Sequence, residues 1–156
     1  MARDAVPLSD TWGGMEGLVE QGLARQIGVC NYNTGLLHDL MSYARIRPAM
    51  LQIESHPYLT QEALIRTAQD YGMAVTAFSP LGASSYLELD MATQQESVLG
   101  ERVIADIAQE YGVSIAQVVL RWGLQRNTAV IPKTSKPERL KENLDLSNFA
   151  LSDAHM

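Results

Sequence analysis

The sequence predicts an α/β chain of stacked βα units around a parallel sheet. Stretches with apolar residues at helical spacing alternate with short apolar runs of strand character, the order that a parallel sheet and its covering helices require. Helix-stopping residues, Gly22, Pro48 and Gly72, close three of the helical stretches just before a strand-like run begins.

The first helix is expected to start at Ser9 or Asp10, either of which can cap it. It runs through Trp12, Met15, Leu18 and Val19 to Gly22, and a strand over Gln26 to Cys30 follows. Thr34 can cap a second helix through Leu36, Leu37, Leu40, Met41 and Tyr43; Pro48 breaks it, and Met50 to Glu54 reads as the second strand. Thr60 opens a third helix through Leu64, Ile65 and Ala68 to Gly72, with a strand from Met73 to Phe78 behind it. Pro80, Gly82 and the pair Ser84 and Ser85 then open a loop to about Ser97, longer than a compact α/β unit needs and suggestive of a lid. Val103, Ile104, Ile107 and Ala108 are spaced for a helix ending near Gly112, and Ser114 caps another through Ala116, Val119, Leu120 and Leu124. A fourth strand over Thr128 to Ile131 and a helix from about Pro137 to Leu144 complete the pattern.

The chain has 156 residues, 46% of them apolar, which suits one domain with a sizeable core. A net charge of -6 with 19% charged residues leaves no basic stripe for a phosphate backbone, so no nucleic-acid partner is expected. Cys30 is the single cysteine and no intramolecular disulfide can form; with no signal-peptide core near Met1 and no long apolar run, a soluble, cytoplasmic protein without a membrane partner is expected.

In parallel α/β proteins ligands gather beyond the C-terminal ends of the strands, and those positions are polar here. Asn31 and Gln52 carry carboxamides, each offering a donor and an acceptor, as a partner carboxamide demands; Asn31 read alone is equally a turn residue. Phe78 can stack on an aromatic ring or simply pack in the core. Lys133, Lys136 and Arg139, beside the hydroxyls of Thr134 and Ser135 and a helix N-terminus, form either a phosphate site or a solvated basic face. His56 reads as a hydrogen-bonded structural residue, His38 and His155 as exposed, and Cys30 as a buried, inert thiol. No His or Cys pair at ligand spacing supports a metal, and no Gly-x-Ser-x-Gly elbow supports a serine nucleophile.

Taken together, Gly28-Val29-Cys30-Asn31-Tyr32, Gln52-Ile53-Glu54-Ser55-His56-Pro57-Tyr58, Phe78-Ser79-Pro80-Leu81-Gly82 and Ile131-Pro132-Lys133-Thr134 occur in an order that resembles the aldo-keto reductases. Ala116 to Trp122 and Glu138 to Asn143 extend the resemblance, which reaches from about Val6 to Ser152. It implies a (β/α)8 TIM barrel of which this chain holds one partial domain, the C-terminal half with strands five to eight. It also implies passage of a hydride between NADP(H) and an aldehyde or ketone.

By the same resemblance Asn31 and Gln52 grip the nicotinamide carboxamide, and Phe78, where many members carry Tyr, stacks on its ring. Ser79, Leu81 and Gly82 line the pyrophosphate path. Lys133, Thr134 and Arg139 hold the 2'-phosphate, and Glu142 with Asn143 meets the adenine. Cys30 stands where the family usually has Ser, and its thiol is the weaker hydrogen-bond donor. None of the family's catalytic Asp, Tyr, Lys and His has a matching position, so no catalytic residue is assigned. The expected partners are a small-molecule carbonyl substrate and, for a half-barrel with open edges, a second copy or a complementing N-terminal half. The alternative is a non-catalytic NADP(H)-binding module or self-assembling half-barrel.

Overall fold

The computed structural model describes residues 5–82, 90, 93 and 97–156. Its elements are α1 (Leu8–Glu20), β1 (Gly28–Cys30), α2 (Thr34–Tyr43), β2 (Met50–Glu54), α3 (Glu62–Asp70), β3 (Ala74–Phe78), a 3₁₀ turn (Val98–Gly100), α4 (Arg102–Tyr111), α5 (Ile115–Gln125), β4 (Ala129–Val130), α6 (Pro137–Leu144) and a 3₁₀ turn (Asp153–His155). The chain divides into two compact units, one of Met1–Ile53 with Glu62–Val75, the other of Glu54–Gln61 with Thr76–Met156.

In the first unit β1 pairs with β2 in parallel, Gly28 opposite Met50 and Cys30 opposite Gln52. Gly28 permits that approach, because a Cβ there would lie 2.5 Å from the Met50 carbonyl oxygen. The Ala74 N–H donates to the Ala49 oxygen at 2.9 Å, setting the start of β3 beside β2. In the second unit β3 pairs with β4 in parallel, Thr76 opposite Ala129 and Ala77 opposite Val130. Each unit thus holds one parallel pair, β1 with β2 and β3 with β4.

Side chains alternate along a strand, so one face of β2 carries Leu51 and Ile53 into the core and the other carries Met50, Gln52 and Glu54. Leu51 and Ile53 pack with Leu37, Ile65, Ala68, Met73 and Val75, the apolar positions of α2, α3 and the start of β3. In the second unit Ala108 of α4 and Val118 and Trp122 of α5 pack with Leu151. Among the described residues no single helix is long and apolar enough to cross a membrane.

Glycines at 13, 14 and 17 would each weaken α1 by about 1 kcal/mol relative to alanine, so its packing must offset its propensity. Trp12 is buried and its indole N–H donates to the Ile46 oxygen at 3.1 Å. Glu16, 3% exposed, accepts the backbone N–H groups of Arg45 at 2.8 Å and Ile46 at 2.9 Å and pairs with the Arg45 guanidinium at 2.8 Å. Those contacts, the Ile46 N–H foremost, hold the carboxyl below its ordinary value of 4.5 against the opposing effect of burial.

Several local expectations are corrected. α1 begins at Leu8 with Pro7 at its cap position, so neither Ser9 nor Asp10 caps it; the rigid φ of proline already suits the entry. The Asn33 side chain, not Thr34, caps α2 by accepting the Leu36 N–H at 2.9 Å. α3 starts at Glu62 rather than beside Thr60, because Gln61 adopts a left-handed φ of 52°. β1 and β4 are shorter than expected, starting at Gly28 and Ala129. Cys30 is exposed, since it closes β1 on the face away from the core. His155 is half-buried against Tyr111 instead of exposed. Much of the long loop read between Pro80 and Ser97 lies outside the described residues.

Candidate functional site

Asn31 and Gln52 both belong to the first unit. The Asn31 N–H continues the β1–β2 ladder by donating to the Gln52 oxygen at 2.9 Å, and Asn31 itself turns the chain with a φ of 59°. Asparagine tolerates this left-handed conformation better than most residues, which is why it can end a strand so abruptly. Gln52 is half-buried on the β2 face opposite the core. Among the described residues neither carboxamide side chain has a hydrogen-bond partner, so both keep their donors and acceptors.

Phe78 ends β3, half-buried. Ser79 follows with a φ of 45°, in a region that costs a non-glycine residue strain, and the Gly82 N–H donates back to the Ser79 oxygen at 2.9 Å. Pro80 within this turn has the preset φ that its second position favours. Gly82 has a φ of 72°, and a Cβ there would stand 3.1 Å from the Val98 side chain, so a larger residue would meet both strain and a buried neighbour.

Six predicted residues line one cavity of about 380 Å³ in the second unit: Leu81, Lys133, Thr134, Arg139, Glu142 and Asn143. Arg139, Glu142 and Asn143 share a face of α6 because positions three and four apart lie above one another on a helix. The Thr134 hydroxyl accepts the Lys136 N–H at 3.1 Å, which bends the segment after β4 and leaves the hydroxyl proton to donate elsewhere. Lys133 and Arg139 are exposed, and among the described residues neither forms an ion pair. Lys136 does not line the cavity; Phe78, Ser79 and Gly82 do not either.

The rest of the wall was missed in the sequence. Leu99 contributes an apolar patch, and Ser114, Ile115 and Ala116 bring the start of α5. Ser114 caps α5 reciprocally, its hydroxyl accepting the Gln117 N–H at 3.1 Å while its own N–H donates to the Gln117 side chain at 3.0 Å. That cap was legible, but nothing local said that the helix N-terminus, which favours anions, faces a cavity.

In the same unit His56 lies 3.4 Å from Glu54 through Nε2, while its buried Nδ1 has no hydrogen-bond partner among the described residues. The structural role read for His56 is therefore only half supplied by the described residues.

Parallel βα units with polar strand ends place the chain in the α/β class. A family model described as "Aldo/keto reductase family" matches residues 3–156, and the chain belongs to that family. A "Probable NAD(P)H-dependent D-xylose reductase" of Arthroderma otae is 52% identical over 149 residues, covering 94% of this chain and 46% of that protein. An NAD(P)H-dependent D-xylose reductase of Aspergillus niger is 47% identical over 148 residues, covering 94% and 46%. Among solved structures the aldose reductase of Schistosoma japonicum matches with a TM-score of 0.86 and 36% identity, over 97% of this chain and 46% of that one. The aldose reductase of Giardia lamblia gives a TM-score of 0.84 and 37% identity, over 98% and 49%. The chain spans about half the length of the curated relatives it matches.

Proposed function

We propose that this chain is the cofactor-holding part of an NADP(H)-dependent reductase of aldehydes or ketones, its four strands corresponding to the last four of an eight-stranded barrel. The cavity carries the reading. It gathers two cations that form no ion pair among the described residues, a threonine hydroxyl and a helix N-terminus, a donor set suited to a phosphate dianion. Its volume of about 380 Å³ suits a nucleotide fragment, since ligand pockets run from roughly 300 to 1,000 Å³.

In this reading Lys133, Thr134 and Arg139 hold the 2'-phosphate, while Glu142 and Asn143 accept hydrogen bonds from the adenine. Ser79, Leu81 and Gly82 bound the pyrophosphate path, and the half-buried ring of Phe78 stacks on the nicotinamide. The carboxamides of Asn31 and Gln52, without hydrogen-bond partners among the described residues, orient the nicotinamide amide, which fixes the ring face presented to the substrate. NADPH, when bound, supplies the hydride that reduces a carbonyl carbon. No residue of this chain is assigned to donate the accompanying proton, so its residues bind and orient. The names of the xylose and aldose reductases it resembles support a small carbonyl compound as substrate.

Self-association belongs to the same reading. Ile131, Leu140 and Leu144, the last 84% exposed, lie along an apolar groove of about 680 Å³. Light scattering should find a dimer or larger assembly, and a monodisperse monomer would count against it. Fluorescence titration tests the cofactor: NADPH should bind at least tenfold more tightly than NADH, a ratio of about 1.4 kcal/mol, and equal affinities contradict the phosphate role of Lys133 and Arg139.

A further inference from the structure

Leu99 is a large apolar residue left 38% exposed at the cavity, on a 3₁₀ turn of three residues. So short a turn makes few hydrogen bonds of its own, and what fixes its position must come from its flanks. On one side the Leu99 N–H donates to the Ser97 hydroxyl at 3.3 Å, and Val98, the first residue of the turn, is buried, 1% exposed, beside Gly82. On the other, Glu101 accepts a hydrogen bond from the Tyr58 hydroxyl at 2.6 Å. Glu101 occupies the N-cap position of α4 but makes no capping hydrogen bond with its side chain, so that carboxylate is engaged by Tyr58 instead.

We infer that Tyr58 is a positioning residue for nucleotide binding: its hydrogen bond to Glu101 pins the turn that carries Leu99 and so sets the apolar wall facing Lys133 and Arg139. Tyr58 lies in the segment between β2 and α3 and does not itself line the cavity, so it acts through Glu101. The carboxylate beside it holds the phenol above its ordinary value of 10, which keeps the hydroxyl protonated and donating at any working pH. Half of Tyr58 is exposed, at 51%, so removing its hydroxyl deletes the tether without opening the core.

The inference rests on the proposed phosphate site, and adenosine 2',5'-bisphosphate, which reaches only that end of the cofactor, separates the two. Calorimetric titration of the full chain should show binding by the wild type and about three- to tenfold weaker binding by Tyr58→Phe, with an unchanged melting midpoint. Glu101→Gln, which keeps an acceptor oxygen, should lose less. Leu99→Ala should weaken binding in the wild type and add little in Tyr58→Phe, because the two changes remove one wall. If the bisphosphate binds wild type and Tyr58→Phe equally, the positioning role is overturned and the phosphate site stands. If it does not bind the wild type at all, the site falls and the inference with it.

Discussion

Glu16 and Arg139 show how differently the two units treat charge. In the first unit Glu16 is buried among backbone N–H groups and a guanidinium, so its charge is consumed in joining α1 to the turn before β2. In the second unit Arg139 and Lys133 stand exposed beside a cavity, with no carboxylate in an ion pair with either among the described residues. A paired charge in a folded core reads as architecture. Cations gathered without partners around a concave surface read as a place for an anion.

Three substitutions sharpen that contrast or break it. Leu51→Ala, at a side chain that is 0% exposed, should cost about 2–5 kcal/mol in denaturant unfolding, the largest effect expected. Arg139→Ala should leave the melting midpoint unchanged and weaken NADPH binding roughly tenfold to a hundredfold, with NADH unaffected, as charge-assisted phosphate contacts predict. Ser114→Ala removes the cap of α5 and should cost about 1 kcal/mol of stability while also loosening the bisphosphate, since that helix start lines the cavity. Were Arg139→Ala to destabilise the fold as much as Leu51→Ala does, the contrast would be lost.

The gentlest effect is that of pH on Glu16. Its carboxyl titrates lower in the folded chain than its ordinary 4.5, so the stability it contributes is complete above that value. It is lost as pH falls through the lowered folded value, and thermal melts below pH 4.5 should show a decline that Glu16→Gln makes shallower. An equal decline in both proteins would assign the acid sensitivity elsewhere.

Where local chemistry decides structure, the sequence was legible. β2 runs from Met50 to Glu54, as the short run behind the Pro48 break reads, and α6 runs from Pro137 to Leu144 because proline at its first turn starts it cleanly. The Ser114 cap was legible for the same reason. Tertiary partners decide the rest. Glu16 lies on the stripe of Trp12, Met15 and Val19, a spacing that hints at burial, yet the N–H groups of Arg45 and Ile46 that satisfy it come from far along the chain. Leu99 and the start of α5 are likewise remote in sequence from Lys133, and only folding sets them around one cavity. Cys30 read as buried because free cysteines usually are, whereas the edge of β1 leaves it exposed.

A crystal structure with bound NADP⁺ tests the phosphate role most directly. The 2'-phosphate oxygens should lie about 3 Å from the Lys133 ammonium and the Arg139 guanidinium. A dinucleotide bound with that phosphate in open solvent, or a cavity it does not enter, would contradict it.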